Sequence, residues 1–483
     1  MQQKKLGDQK LLKLYGLFSS LFLIFSFSAL NADEYKSFAN FKKVQTKSFE
    51  TYKNKDDSSF YKYLKKEFGA YKVSISPPLY PESKPKRLNY SKSTHIKAVG
   101  PKISIDIGAK AKKLKDIKII KKDILFDFYG TKVSFEMPDK IMDADYYPQN
   151  QKGISSFFNL ATASDYEGLI SDIKKTTKDL NLNDWALYLL VSKISQEIFM
   201  ESDNAKLMTW FVFSKLGYAV KIGLSNKHIV LLFYSKKTIY KTPNYTIEDK
   251  KYYSLQNYSN GSIERLFTHL KNYPNAIKAF DLSMKILPKF TMAKKEKKLS
   301  FKQFGKNYNI SYSYNQNMID FMSTYPQANY EVFFNTPLDK ETYISIASSL
   351  KKYLDGKKAS EAMNFILSFI QKAFKYELDS QQFGREKIMF AEETLYYDKS
   401  DCEDRAILFA NLIKELFHIP VIGVKYKDHM ASAIYVPMKG DKISTKNRKF
   451  VIADPSYINA NIGMSIPKYK HVKPQSYILI QKD

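Results

Sequence analysis

The single cysteine of this 483-residue chain, Cys402, lies 27 residues before His429, and His429 lies 25 residues before Asp454. A thiol, an imidazole and a carboxylate suffice for nucleophilic acyl transfer: the sulfur attacks, the ring takes its proton, and the acid fixes the ring's tautomer. Cys402 falls within Ser400-Asp401-Cys402-Glu403-Asp404-Arg405-Ala406. Ser400 and Glu403, three apart before an apolar-periodic run, read as a capping box that places Cys402 in the first turn of a helix. Unpaired N–H groups and the helix dipole favour a thiolate there. Glu403 and Asp404 oppose it, so an imidazolium from His429 is needed to win.

The elements that must position these groups are legible in the hydrophobic pattern. Cys402, Ala406, Phe409, Ile413 and Leu416 share one helical face, which predicts a thiol at the top of the stripe that packs on a sheet. His429 immediately precedes the alternating run 430–436, and Asp454 ends the run 450–453, where Pro455 stops the strand. Two neighbouring antiparallel strands would deliver His429 and Asp454 to one end of that sheet. Helices are predicted over 340–354, 360–374 and 401–417, and strands over 421–425, 430–436 and 450–453. Earlier, helices are predicted over 165–180, 183–199 and 203–216, then strands over 219–224, 229–234, 238–241 and 252–255. Trp185 and Trp210, the only tryptophans, fall on those helices as core residues.

Sliding the chain by 201 places Leu216-Gly217-Tyr218-Ala219-Val220 over Phe417-His418-Ile419-Pro420-Val421 and His228 over His429 without a gap. Glu201 then stands where Cys402 does. The expected organisation is a signal segment (1–32), a mixed, partly β region with a Pro-rich linker at 76–86 (33–125), a degenerate copy of the catalytic unit (126–262), a small β-rich region (263–335) and the catalytic unit itself (336–483). Alternation at 103–107, 117–120, 133–135, 276–284, 308–314 and 330–334 reads as strand. The fold class expected is α+β.

The run Asp401-Cys402-Glu403-Asp404-Arg405-Ala406, then Leu416 to Val421, His429 before a strand, and Ala453-Asp454-Pro455 resembles the transglutaminase-like cysteine protease superfamily, in particular its exported bacterial members. The likeness is weaker over 126–262, where Asp184-Trp185 and 216–224 share in it, and does not extend to 33–125. It implies a papain-like arrangement with Cys402 as nucleophile, His429 as base and later acid, and Asp454 as orienter. The implied chemistry is acyl-enzyme formation on amides, with release to water or to an amine. The Cys402 amide, or Gln381 or Gln382, is the implied oxyanion donor.

Composition narrows the rest. Lys4, Lys5, Lys10 and Lys13 followed by an apolar run from Tyr15 to Leu30 predict export, with a periplasmic location or an N-terminal anchor. One cysteine excludes an internal disulfide. No metal or cofactor is expected: His95, His269, His418 and His471 lack ligand-like spacing, and no acidic calcium loop or glycine-rich phosphate loop occurs. The net charge of +28, densest between Lys84 and Lys122, suits an anionic cell-wall or membrane surface. Nucleic acid is not an expected partner, because no readout motif accompanies the charge. The expected partner is a peptide or protein substrate in the envelope, and the competing reading is a non-catalytic envelope scaffold that reuses the fold.

Overall fold

The computed structural model describes residues 55–77, 84–108, 122–255, 265–445 and 448–480, in two compact units, residues 1–59 and 60–483. Of the first unit only the helical residues 55–59 are described. The signal-like segment 1–32, the expected strand at 117–120 and the lysines of the basic cluster from Lys110 to Lys121 lie outside the described residues. Among the described residues no helix is long and apolar enough to cross a membrane.

The second unit mixes helix and strand. It opens with β1 (Gly69–Lys72), β2 (Ser74–Ile75), β3 (Asn89–Tyr90) and a hairpin of β4 (Ile124–Phe128) with β5 (Thr131–Phe135). Helices α1 (Gln151–Ala163), α2 (Glu167–Asp179), α3 (Asp184–Ile198) and α4 (Ser202–Lys215) follow. Side-chain oxygens of Asn150, Asn183 and Glu201 accept N–H groups at the starts of α1, α3 and α4, satisfying donors that the helices leave free. Strands β6 (Val220–Ser225), β7 (His228–Tyr234), β8 (Pro243–Ile247), β9 (Lys250–Ser254) and β10 (Arg265–Thr268) complete a seven-stranded sheet in the order β1-β10-β6-β7-β9-β8-β2. The strand expected at 238–241 is a turn, and β8 begins just after it. Residues 103–107 run extended without joining a sheet, and Lys102 makes only an isolated bridge to Lys358.

A ten-residue hairpin, β11 (Lys294–Gln303) with β12 (Lys306–Asn315), leads into α5 (Gln316–Ser323) and α6 (Tyr330–Phe334). The segment 330–334 is therefore helical, and 276–284 forms no strand, Lys278 making only an isolated parallel bridge to Tyr218. Tyr330, Val332, Phe333 and Phe334 are all buried, so neither period shows as an exposed face. The chain continues through α7 (Lys340–Leu354), α8 (Ala359–Ala373), β13 (Lys375–Tyr376), α9 (Asp379–Gln382), α10 (Ala391–Tyr396), β14 (Lys399–Ser400) and α11 (Cys402–Phe417). Strands β15 (Val421–Lys425), β16 (Met430–Ile434), β17 (Lys442–Ser444), β18 (Lys449–Ala453), β19 (Tyr457–Ile458) and β20 (Ser476–Leu479) follow. The second sheet has the order β17-β18-β16-β15-β20, while β19 pairs with β3.

The two sheets share one plan. The order β10-β6-β7-β9-β8 of the first matches β20-β15-β16-β18-β17 of the second. Val220 pairs with Phe233 and Val421 with Ile434, so both partners move by the same 201 residues. Gly217 (φ 85) and His418 (φ 54), also 201 apart, each take the left-handed conformation that closes the preceding helix. Along β16, Met430 and Ile434 join the main core beneath α11, whereas Ala431 and Ala433 face the cluster of Tyr426, Tyr457 and Tyr469. Ser432 bonds the Ala406 carbonyl at 3.2 Å, tying strand to helix beside the thiol's turn.

Gly423 on β15 leaves room for Phe334: a Cβ there would stand 2.8 Å from the Phe334 ring and 3.2 Å from Ile478. Gly423→Ala should overpack the sheet and destabilise the fold by about 1–3 kcal/mol. Urea unfolding would show this as a lower midpoint, and an unchanged midpoint would contradict the packing described.

Candidate active site

The helix that carries Cys402 starts one residue later than the capping box at Ser400 predicts. The N-cap is Asp401, whose N–H donates to Asp404 Oδ2 at 3.2 Å, and Cys402 is the first helical residue. Ser400 belongs to β14, and its hydroxyl accepts from Arg405 Nε at 3.1 Å. Arg405, fully buried, also donates to the carbonyls of Gln371 (3.3 Å) and Phe374 (2.8 Å), which locks the end of α8 against the start of α11. Burial pushes its guanidinium down to about 10, and it stays charged at neutral pH. Asp404 Oδ1 accepts from Met389 N at 2.9 Å, so this carboxylate is spent on positioning backbone.

His429 and Asp454 are brought together. The ring Nε2 lies 2.8 Å from Asp454 Oδ2, both side chains buried, and Asp454 Oδ1 accepts from Ser456 N at 2.8 Å. Gln371 Nε2 holds the Asp454 carbonyl at 3.2 Å and that of Ala460 at 3.1 Å, fixing the loop beyond β18. Tyr469 stacks on the His429 ring with centroids 4.9 Å apart. With Nε2 committed to the carboxylate, Nδ1 is left without a hydrogen-bond partner in a buried position.

The sulfur makes no hydrogen bond to that nitrogen. Cys402 is 1% exposed and donates to Glu403 Oε2 at 3.2 Å, while the Met430 N–H, next in chain to His429, bonds the sulfur. Burial first, then the charges of Glu403 and Asp401, push the thiol well above its ordinary range. Lys84 and the Met430 amide pull the other way and lose. In this arrangement Cys402 is a neutral thiol.

Lys84, within the segment expected to be a linker, is a residue of this pocket that the sequence did not reveal. Its ammonium lies 3.0 Å from Asp379, 2.7 Å from Asp401 and 2.9 Å from Glu386, and bonds Glu403. Burial works against its charge, but Asp401, Glu403 and Asp379 outweigh burial and hold the ammonium protonated. Burial, and after it the repulsion of neighbouring carboxylates, raises the Asp401 and Asp379 carboxyls around the cation. Oxygens of Asp379, Glu386 and Glu403 lie within 4.8 Å of one another, a spacing that suits a cation, and the Lys84 ammonium bonds all three carboxylates. The only sequence hint was the run of acids at 401–404, whose burial demands a counter-charge; nothing pointed to Lys84 among 77 basic residues. Gln381 and Gln382 sit on α9, and Gln382 Oε1 is buried without a partner.

The matching position in the first sheet has different chemistry. Glu201 caps α4 through Asn204 N at 2.7 Å, and His228 Nδ1 lies 3.2 Å from Asp203, with its ring 77% exposed. No sulfur is present and the imidazole faces water. No family model matches the chain, and neither a curated protein nor a solved structure matches it.

Removing the carboxylate closest to the sulfur should ease ionisation. Glu403→Gln is expected to shift the pH midpoint of Cys402 alkylation downward, because a negative charge that opposes the thiolate is gone. Iodoacetamide labelling rates across pH, read by mass spectrometry, would show it; an unmoved midpoint would contradict the assigned electrostatics.

Proposed function

We propose that this chain is an exported, transglutaminase-like cysteine hydrolase or acyltransferase with a papain-like arrangement, acting on amide bonds of peptide or protein substrates in the cell envelope. The observation that carries this reading is the buried His429–Asp454 pair, with Nδ1 unpartnered on the ring edge away from the carboxylate and the sulfur bonded to the next residue's amide. Asp454 fixes the tautomer with the proton on Nε2, so Nδ1 is the basic nitrogen. Cys402 Sγ attacks the substrate carbonyl carbon as its proton passes to Nδ1. The carbonyl oxygen becomes an oxyanion, to which we assign the Cys402 amide, an N–H at a helix position without an intrahelical partner. Nδ1–H then protonates the departing amine, leaving a thioester. Water or a second amine attacks the thioester, Nδ1 takes its proton, and the sulfur leaves as the regenerated thiol.

The shared strand order and register support reading 126–262 as a duplicated unit whose copy keeps a histidine without a thiol. Such a copy serves binding or scaffolding. The basic surface suits an anionic envelope polymer or membrane surface as a second partner. A competing reading, a non-catalytic scaffold, draws on the sealed, neutral thiol. A Cys402→Ser strain with an unchanged phenotype beside a deletion with a clear one would favour it.

General-base assistance is typically worth about 10²–10⁴-fold. His429→Ala should therefore slow reaction of Cys402 with a thiol-directed electrophile by about 100-fold. Burial slows both proteins alike, so the ratio isolates the imidazole. Equal rates in the two proteins would remove the catalytic reading.

A further inference from the structure

Resting on that reading, residues 84–94 cross the site as a strap. Lys84 enters the acidic pocket beside the sulfur, and Tyr376 Oη holds the Pro85 carbonyl at 2.7 Å. Five residues on, Asn89 and Tyr90 pair in parallel with Tyr457 and Ile458, which begin three residues after Asp454. Ser91 N donates to the Ile458 carbonyl at 2.8 Å, and Asn461 Nδ2 donates to the Thr94 carbonyl and hydroxyl at 3.0 Å each. The strap therefore runs from the helix start that bears Cys402 to the loop that bears Asp454. Among the described residues β19 has no other strand partner. Within the pocket Asp401 Oδ1 is buried and unpartnered, an acceptor that Lys84 does not use.

We infer that the pocket of Asp379, Glu386, Asp401 and Glu403 is a recognition subsite for a lysine side chain of an extended peptide that pairs with Tyr457–Ile458, and that residues 84–94 occupy it as an internal ligand. An exposed edge strand recognises peptide backbone by strand addition, and a side-chain pocket beside it sets specificity. Ammonium held by four carboxylates keeps its proton and has no lone pair to offer a thioester. The lysine is thus a handle by which substrate is held, not the reacting amine. Two facts fit occupancy by the chain itself: the sulfur is sealed, and the pocket's cation comes from a segment more than 290 residues away in sequence.

The test uses two variants of the full chain, both carrying native-like circular dichroism as a condition of use. In Lys84→Ala with Cys402→Ser, which needs no reactive sulfur, a fluorescent peptide of the sequence 84–94 should bind at least about tenfold tighter than the same peptide with norleucine in place of its first lysine, since the lost partner is a buried charge. Equal affinity of the two peptides overturns the inference. Should Lys84→Ala not fold, Ser91→Pro with Asn461→Ala loosens the strap without touching the acidic pocket. Cys402 in that protein should alkylate at least about tenfold faster than in wild type, and excess lysine peptide, but not the norleucine peptide, should restore the slow rate. Unchanged alkylation, or suppression by both peptides alike, shows a structural buttress and overturns the inference. Peptide binding that persists while His429→Ala leaves alkylation unaltered would sink the catalytic reading and leave the subsite standing.

Discussion

An ammonium buried among carboxylates is the constraint on which the C-terminal half depends. Helix α11 begins with Asp401, Glu403 and Asp404 flanking Cys402, all of them buried. Leaving such charges uncompensated costs about 3–5 kcal/mol for each broken pair. Arg405 cannot serve all three, because its donors go to Ser400, Gln371 and Phe374. The remaining charge is met by Lys84 and by the raised carboxyls of Asp404, Asp401 and Asp379, which favour their protonated forms. The same field that anchors the helix start keeps the sulfur neutral. Anchoring of the helix start and ionisation of the thiol therefore oppose each other.

The two sheets show what the shared plan fixes and what it leaves open. Both place a histidine at the start of the strand that runs under the preceding helix, in the same register. In the first sheet that ring stands in water against Asp203. In the second it is covered by Tyr469 and anchored by Asp454. The difference comes from the chain after β18, where Asp454, the Gln371-held loop and the segment through Tyr469 close over the ring. Buried against Asp454, the second ring has its tautomer set by a carboxylate.

Much of this was legible from spacing. The helices at 340–354 and 401–417 and the strands at 421–425 and 450–453 follow uninterrupted apolar periods, and the 201-residue shift survives as strand register. The convergence of His429 and Asp454 followed from each lying at an end of a neighbouring antiparallel strand. Three features were not legible. The N-cap moved from Ser400 to Asp401 because tertiary contacts, Arg405 on the Ser400 hydroxyl and Asp404 on the Asp401 amide, chose between two capping residues. The helix at 330–334 was hidden because every apolar residue in it is buried, which erases the period. Lys84 was hidden because an ion pair across some 300 residues leaves no local pattern, and proline around it reads as linker.

On the function proposed, His429 makes Cys402 a catalyst and not merely a thiol. A peptidyl acyloxymethyl ketone separates the two, since its carboxylate leaves only after assisted attack by sulfur, whereas chloroacetamide alkylates any accessible thiol. Intact-mass measurement of the Ser91→Pro, Asn461→Ala protein after incubation with a lysine-bearing acyloxymethyl ketone should give one adduct, on Cys402, that disappears when His429 is alanine. An unmodified chain, in a sample whose Cys402 chloroacetamide readily alkylates, would contradict the account.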